Sequence, residues 1–264
     1  MNAVKRDIVP LLLIPALAVA ALPLVSSPSS WVTLTVAGLA MGLMIFVMAS
    51  GLTLTFGLMD VLNFGHGAFI AVGAFVAASV MLALGPWMAA NSFWLNMAAV
   101  GPAVLAAVMV SGALGFVFER VIVRPVYGQH LKQILVTTGG LIVAEQLLKV
   151  VWGPDQITLS RPTALRGAFV VGSALAGLGG AMWGLYQETV TAAIGAKVAV
   201  LVFIVIIIGG LGSIGGCFIG ALLVGLTANY IGFLAPKVAL GSNILLMALI
   251  LLWRPQGLYP VAKR

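Results

Sequence analysis

Asp60, Asn63 and His66 stand three residues apart in the stretch GLMDVLNFGHGAFIAVGAF, Gly57 to Phe75, whose other residues are apolar or are one of four glycines. Ionisable and amide side chains are costly at membrane depth and are functional candidates wherever they occur there. Asn63 and His66 therefore read as solute-path or gating residues. Simpler roles compete. Asn63 could cap the next helix, His66 could satisfy backbone groups freed at a helix break, and Asp60 could end a helix in solvent. Gly65 and Gly67 are expected to supply backbone freedom at the break. Glu145 is the other acid inside an apolar run. It pairs locally with Lys149 at i,i+4 spacing or lines a path.

The elements that must hold these residues follow from composition. The chain has 264 residues, 62% hydrophobic and 7% charged, with a mean hydropathy of +1.20. Soluble domains carry about 25% charged residues, and a water-soluble fold has too little interior to hide this much apolar surface. The chain is read as one polytopic membrane domain over residues 1–264. The net charge of +7 fits cytoplasmic loops under the positive-inside rule. No nucleic-acid partner is expected, because basic runs stop at pairs such as Lys5-Arg6 and Lys263-Arg264. One cysteine, Cys217, excludes an internal disulfide and a cysteine-based metal site. No cofactor or metal is expected.

Apolar runs define the spans. They are Ile8–Val25, read as an uncleaved first span, then Trp31–Phe56, Gly67–Leu84, Asn96–Phe118 and Gln133–Trp152. Gly167–Tyr186, Lys197–Ile208, Ile214–Leu234 and Leu240–Trp253 follow. The fold class is an all-α transmembrane bundle of about eight to ten spans with discontinuous helices. Glu119 to Lys132 reads as the most polar connection, holding Arg120, Arg124, His130 and Lys132. Placing Lys5 and Arg6 in the cytoplasm puts that loop inside, but the basic C-terminus then falls outside. The count is off by one crossing. Either one run does not cross, or a crossing is missing between Asp155 and Gly167.

Small residues recur at four-residue spacing, at Gly38 and Gly42, at Gly172, Ala176 and Gly180, and at Gly216 and Gly220. That pattern lets helices approach closely. Gly67-Ala-Phe-Ile70 has an echo in Gly216-Cys-Phe-Ile219, each restarting an apolar run after a glycine-bearing break. Paired interruptions in two halves point to a translocation site. Gly212 and Gly216 therefore join Asn63, Gly65, His66 and Gly67 as path candidates, and the two breaks are expected to meet there.

The stretch GLTLTFGLMDVLNFGHGAF, Gly51 to Phe69, resembles the signature of the LivH-type permeases of branched-chain amino acid ABC transporters. ERVIVRP (Glu119–Pro125), ALAGLGGA (Ala174–Ala181), GGLGSIGG (Gly209–Gly216) and RPQGL (Arg254–Leu258) stand in the same order as in that family. The resemblance implies a non-enzymatic subunit of a bacterial inner-membrane importer. Its expected partners are membrane lipid, a LivM-type second permease, two ATP-binding cassette ATPases and a periplasmic solute-binding protein. The chain holds no G-x-x-x-x-G-K-[ST] loop, so energy must come from a partner. Arg120, Arg124 and Arg166 are the expected ATPase-facing residues. The implied solute is a branched-chain or other small amino acid, with urea or short-chain amides as the alternative. No pair of opposite charges suits a zwitterion, which fits a permease that receives its solute from another protein.

One departure stands out. Family members carry a further helix and a cytoplasmic coupling loop after the fifth span. Here Ser160-Arg161-Pro162 runs almost directly into Thr163-Ala-Leu-Arg166-Gly167. The resemblance thus implies an internal gap near 160–166, where the charge count also falls short: either a real deletion of the helix and loop, or a segment left out of the sequence. A real deletion would favour a non-transporting scaffold or a secondary carrier.

Overall fold

The computed structural model describes residues 8–25, 27–61, 63–158, 183, 187 and 189–260. Among them run nine α-helices: α1 Val9–Ala21, α2 Pro28–Met59, α3 His66–Ala83, α4 Gly85–Ala89, α5 Phe93–Phe118, α6 His130–Trp152, α7 Ile194–Gly209, α8 Ile214–Leu234 and α9 Ala239–Trp253. Five helical runs are long and apolar enough to cross a membrane, and α1, α7 and α9 are shorter apolar helices. The helices are apolar around most of their circumference, as membrane helices are. The expected run Gly167–Tyr186 and Arg166 lie outside the described residues, apart from buried Trp183.

The charged stretch beginning at Glu119 does not start a loop, contrary to expectation. Helical backbone continues from α5 through a π turn at Glu119–Val123 and a 3-10 turn at Arg124–Val126. The run Phe93–Val126 is thus 34 residues long. Charge appears before the helix ends because long side chains at a span's end reach for water while their stems stay apolar. The all-α expectation also omitted a short antiparallel pair, Ile157–Thr158 with Thr189–Val190.

Two compact units divide the chain, one of residues 47–202 and the other of residues up to 46 together with those from 203. In the first, α3 packs against α5. Ala99, Ala103 and Ala107 of α5 are fully buried at four-residue spacing, opposite the small and aromatic face of α3 that holds Ala71, Ala74, Phe75 and Ala78. Ser111 extends the α5 stripe and donates to the Phe69 carbonyl at 3.2 Å. The Trp152 indole N–H closes α6 on α3 by donating to Ser79 Oγ at 2.7 Å. The buried Asn96 amide donates to the carbonyls of Trp87 and Ala90 at 2.8 and 3.1 Å, so a side chain of α5 caps the end of α4.

In the second unit, glycines set the helix spacing. A Cβ on Gly42 of α2 would lie 2.8 Å from the Ala221 carbonyl oxygen and Leu222 Cα of α8. Gly209 of α7 and Gly216 of α8 face each other backbone to backbone, and a Cβ on Gly220 would meet the Val205 carbonyl at 2.9 Å. The small-residue pairs read from the sequence at Gly38/Gly42 and Gly216/Gly220 thus sit at real crossings. Ser213 caps α8 by accepting the Gly216 N–H at 3.1 Å. Losing that cap costs about 1 kcal/mol, so Ser213→Ala should lower the thermal midpoint in detergent by a few degrees, read by fluorescence-detected unfolding.

The RPQGL segment has a plain structural role in this unit. The Leu258 and Tyr259 N–H groups donate to the Ile208 and Gly209 carbonyls at 2.8 and 3.0 Å. These are acceptors at the end of α7 that the helix leaves unfilled. Gly210 and Gly257, with φ of 98° and 85°, let the two turns meet.

Candidate functional site

The break between α2 and α3 is where the first unit departs from regular helix. The chain leaves α2 at Met59, and Asp60 takes φ 52°, a left-handed conformation that aspartate tolerates better than most side chains. Gly65, by contrast, has φ −74°, and Gly67 lies within the first turn of α3. Supplying backbone freedom is therefore not their role, contrary to expectation. Both are glycine because neighbours are close. A Cβ on Gly65 would lie 2.9 Å from the Thr137 carbonyl oxygen, and one on Gly67 would run into the carbonyl of Gly195 on α7.

The side chains at the break also differ from their simple structural roles. Asn63 does not cap α3: Gly65 is the N-cap residue, and no side chain bonds there. The Asn63 Oδ1 atom is buried and has no hydrogen-bond partner among the described residues. His66 is buried, and its Nε2 donates to the Met48 carbonyl at 2.8 Å. That carbonyl lies inside α2, not at the break. Asp60 meets His130, which opens α6, at 3.8 Å. Both are more than half exposed, and such a pair contributes about 0–1 kcal/mol.

Two residues that the sequence reading passed over hold the break in place. Gln133 and Thr137 of α6 are fully buried, one helical turn apart. Thr137 Oγ1 donates to the Gln133 carbonyl at 2.7 Å and accepts the Phe64 N–H at 3.1 Å. Gln133 Nε2 donates to the Val126 carbonyl at 3.2 Å. A buried N–H left without an acceptor costs about 1–3 kcal/mol. Thr137→Val, equal in shape, should destabilise the protein by that amount while Thr137→Ser retains most of it, as measured by thermal unfolding in detergent.

Beside this break lies a cavity of about 410 Å³. Most of its lining is apolar, with Met59, Val61, Phe69, Val108, Phe118 and Val123 among the residues that form it. Asn63 and His66 line it too, joined by Ser111, Glu119 and Tyr127. An apolar cavity with a few convergent polar groups is the usual form of a small-molecule site. The Tyr127 hydroxyl donates to Glu119 Oε1 at 2.6 Å. That bond, helped by slight burial, holds the phenol above its ordinary pKa.

The remaining site residues read from the sequence lie elsewhere. Glu145, on α6, does not line the cavity, and its Oε1 atom is buried without a partner among the described residues. No ion pair joins it to exposed Lys149 among those residues. Gly212 takes φ 80° in the α7–α8 turn of the second unit, and Gly216 packs on Gly209 there. Arg120 and Arg124 are exposed on the turns that extend α5, and Arg166 lies outside the described residues.

Five apolar helical runs long enough to cross a membrane, among the described residues, give the architecture of a multi-pass membrane protein. The family described as the permease component of the branched-chain amino acid transport system matches residues 34–164 and 164–253. The chain belongs to that family. It is 22% identical to the high-affinity branched-chain amino acid transport system permease protein LivH of Escherichia coli strain K12, over 84% of this chain and 92% of the relative. It is 25% identical to the permease protein BraD of Pseudomonas aeruginosa, over 84% of this chain and 93% of the relative. A 28% identical stretch to LivH of Salmonella typhimurium strain LT2 takes in 52% of this chain and 42% of that relative. No solved structure matches the chain.

Proposed function

We propose that this chain is a membrane subunit of an ATP-driven bacterial importer, and that it forms the solute path together with a second permease. The observation that carries this reading is the cavity beside the α2–α3 break, lined by Asn63 and His66, in a chain whose family is that of transport permeases. The energy source lies in partners, since the sequence holds no phosphate-binding loop of the Walker type. The implied solutes are branched-chain or other small amino acids, as in the names of its relatives. Arg120, Arg124 and Arg166 are proposed to face the ATPases, and Gly65, Gly67, Glu145, Gly212 and Gly216 to border the path. The membrane is the bacterial inner membrane.

The comparisons also favour a shorter chain at one place. The family match falls in two pieces that meet at residue 164. The alignment to the Escherichia coli relative runs over 291 positions, while 84% of 264 residues is about 222, so about 70 positions hold no residue of this chain. This supports a missing helix and coupling loop near 160–166, and with it a second reading as a non-transporting subunit. Co-purification decides between the two. An importer subunit expressed with its neighbouring genes should bring down a second permease and two ATPases in stoichiometric amounts. Isolation of the second permease alone would favour the scaffold, and isolation of neither would sink the proposal.

A further inference from the structure

The donors and acceptors around the cavity are not balanced, and the imbalance says which end of a solute fits there. Among the described residues, each hydroxyl or ring N–H along the lining is already spent inside the protein. Ser111 donates to the Phe69 carbonyl at 3.2 Å and Thr55 to the Leu52 carbonyl at 3.0 Å. Tyr127 donates to Glu119 at 2.6 Å, and His66 Nε2 to the Met48 carbonyl at 2.8 Å. A hydroxyl has one hydrogen to give and two lone pairs. What these groups still offer the cavity is therefore chiefly oxygen lone pairs.

The two remaining polar residues strengthen that bias. Among the described residues, Glu119 brings the one formal negative charge of the lining, and no lysine or arginine lines it. Asn63 Oδ1 is a buried acceptor with no partner among the described residues, and an unfilled buried acceptor is costly until a donor reaches it. Among the described residues, the Asn63 amide N–H₂ is the one side-chain donor left to the cavity. A carboxylate here would face Glu119 with a single neutral amide to hold it. An ammonium would find a carboxylate and several lone pairs, with apolar walls for its alkyl body.

We propose that this cavity binds the cationic ammonium end and branched apolar body of its solute and rejects a carboxylate. Glu119 is the charge-reading residue and Asn63 the neutral acceptor. The proposal rests on the importer reading in taking the cavity as part of the solute path, and an amino acid would enter it ammonium first.

Two probes with one carbon skeleton and opposite heads test it: 3-methylbutylamine and 3-methylbutanoate, bound to the purified full chain in lipid nanodiscs at neutral pH. The amine should bind at least tenfold more tightly than the acid, and Glu119→Gln should weaken it about tenfold. Lys149→Gln, exposed on α6 and outside the lining, should retain amine binding. If Glu119→Gln does not fold, the comparison of the two heads on the unaltered chain decides alone. Equal binding of both heads, tighter binding of the acid, binding of neither, or an amine affinity unmoved by a folded Glu119→Gln would overturn the proposal. None of these results bears on co-purification of ATPases, so the importer reading stands or falls separately.

Discussion

Gly67→Val should leave little folded protein to extract. A Cβ at residue 67 enters the carbonyl group of Gly195, lies 2.8 Å from its carbonyl carbon, and presses on Ala199 Cβ at 3.2 Å. These are mainly backbone atoms of α7 and cannot rotate aside. A Cβ on Gly195 would meet Gly67 in the same way, so neither helix has slack. Overpacking in a dense interior costs about 1–3 kcal/mol, and more where backbone must move. That is a large share of a stability of about 5–15 kcal/mol. Gly139→Val is the matched control, because a Cβ at residue 139 meets no heavy atom within 4 Å. The monodisperse fraction on size exclusion and the thermal midpoint should fall sharply for Gly67→Val and stay near wild type for Gly139→Val. A well-folded Gly67→Val would show that α3 and α7 do not touch as described.

Gly140→Val is expected to spare the fold and cut transport at least tenfold. A Cβ at residue 140 would lie 2.6 Å from Cε2 and 2.8 Å from Cζ of Phe118, the far end of a ring that can turn. Phe118 also packs edge-to-face on Phe69 at 5.4 Å, and both rings line the cavity. Added bulk on α6 therefore drives an aromatic ring toward the space a solute would occupy. Uptake should fall at least tenfold while the thermal midpoint moves by less than the few degrees that 1 kcal/mol produces. Gly140→Val combined with Phe118→Leu should restore part of the uptake, because the smaller side chain gives back the room. Unchanged uptake in a folded Gly140→Val would remove the cavity from the solute path.

The sequence made some of this visible and hid the rest for physical reasons. The break at Gly57–Phe75 was legible because polar residues interrupt an apolar run, and the helices stop and restart at Met59 and His66. Which residue takes the unusual backbone angle was not legible. A glycine looks the same whether it supplies a positive φ, as Gly210 and Gly212 do, or clears room for a neighbour, as Gly65 and Gly67 do. The echo between Gly67 and Gly216 now has a shared meaning. Each begins a helix with a glycine pressed on another glycine, Gly195 in one unit and Gly209 in the other.

Gln133 and Thr137 were missed because the polar stretch before them looked like a loop, which placed Gln133 at a helix edge rather than in a buried network. Glu119 and Tyr127 were missed for a related reason. Charges near a span's end suggest solvent, and only the continued helical turns through Val126 bring them to the cavity. The RPQGL segment was legible as a family mark, yet its work lies in backbone N–H groups that no side-chain pattern reveals.

The measurement that bears most directly on the whole account is uptake of radiolabelled leucine, isoleucine or valine into proteoliposomes. They would hold this chain, the second permease and the two ATPases from its neighbouring genes, with the matching binding protein added outside. The account predicts uptake that requires both ATP and this chain, and that falls at least tenfold with Gly140→Val. Uptake by this chain alone without ATP, or ATP-driven uptake that persists when this chain is left out, would contradict it.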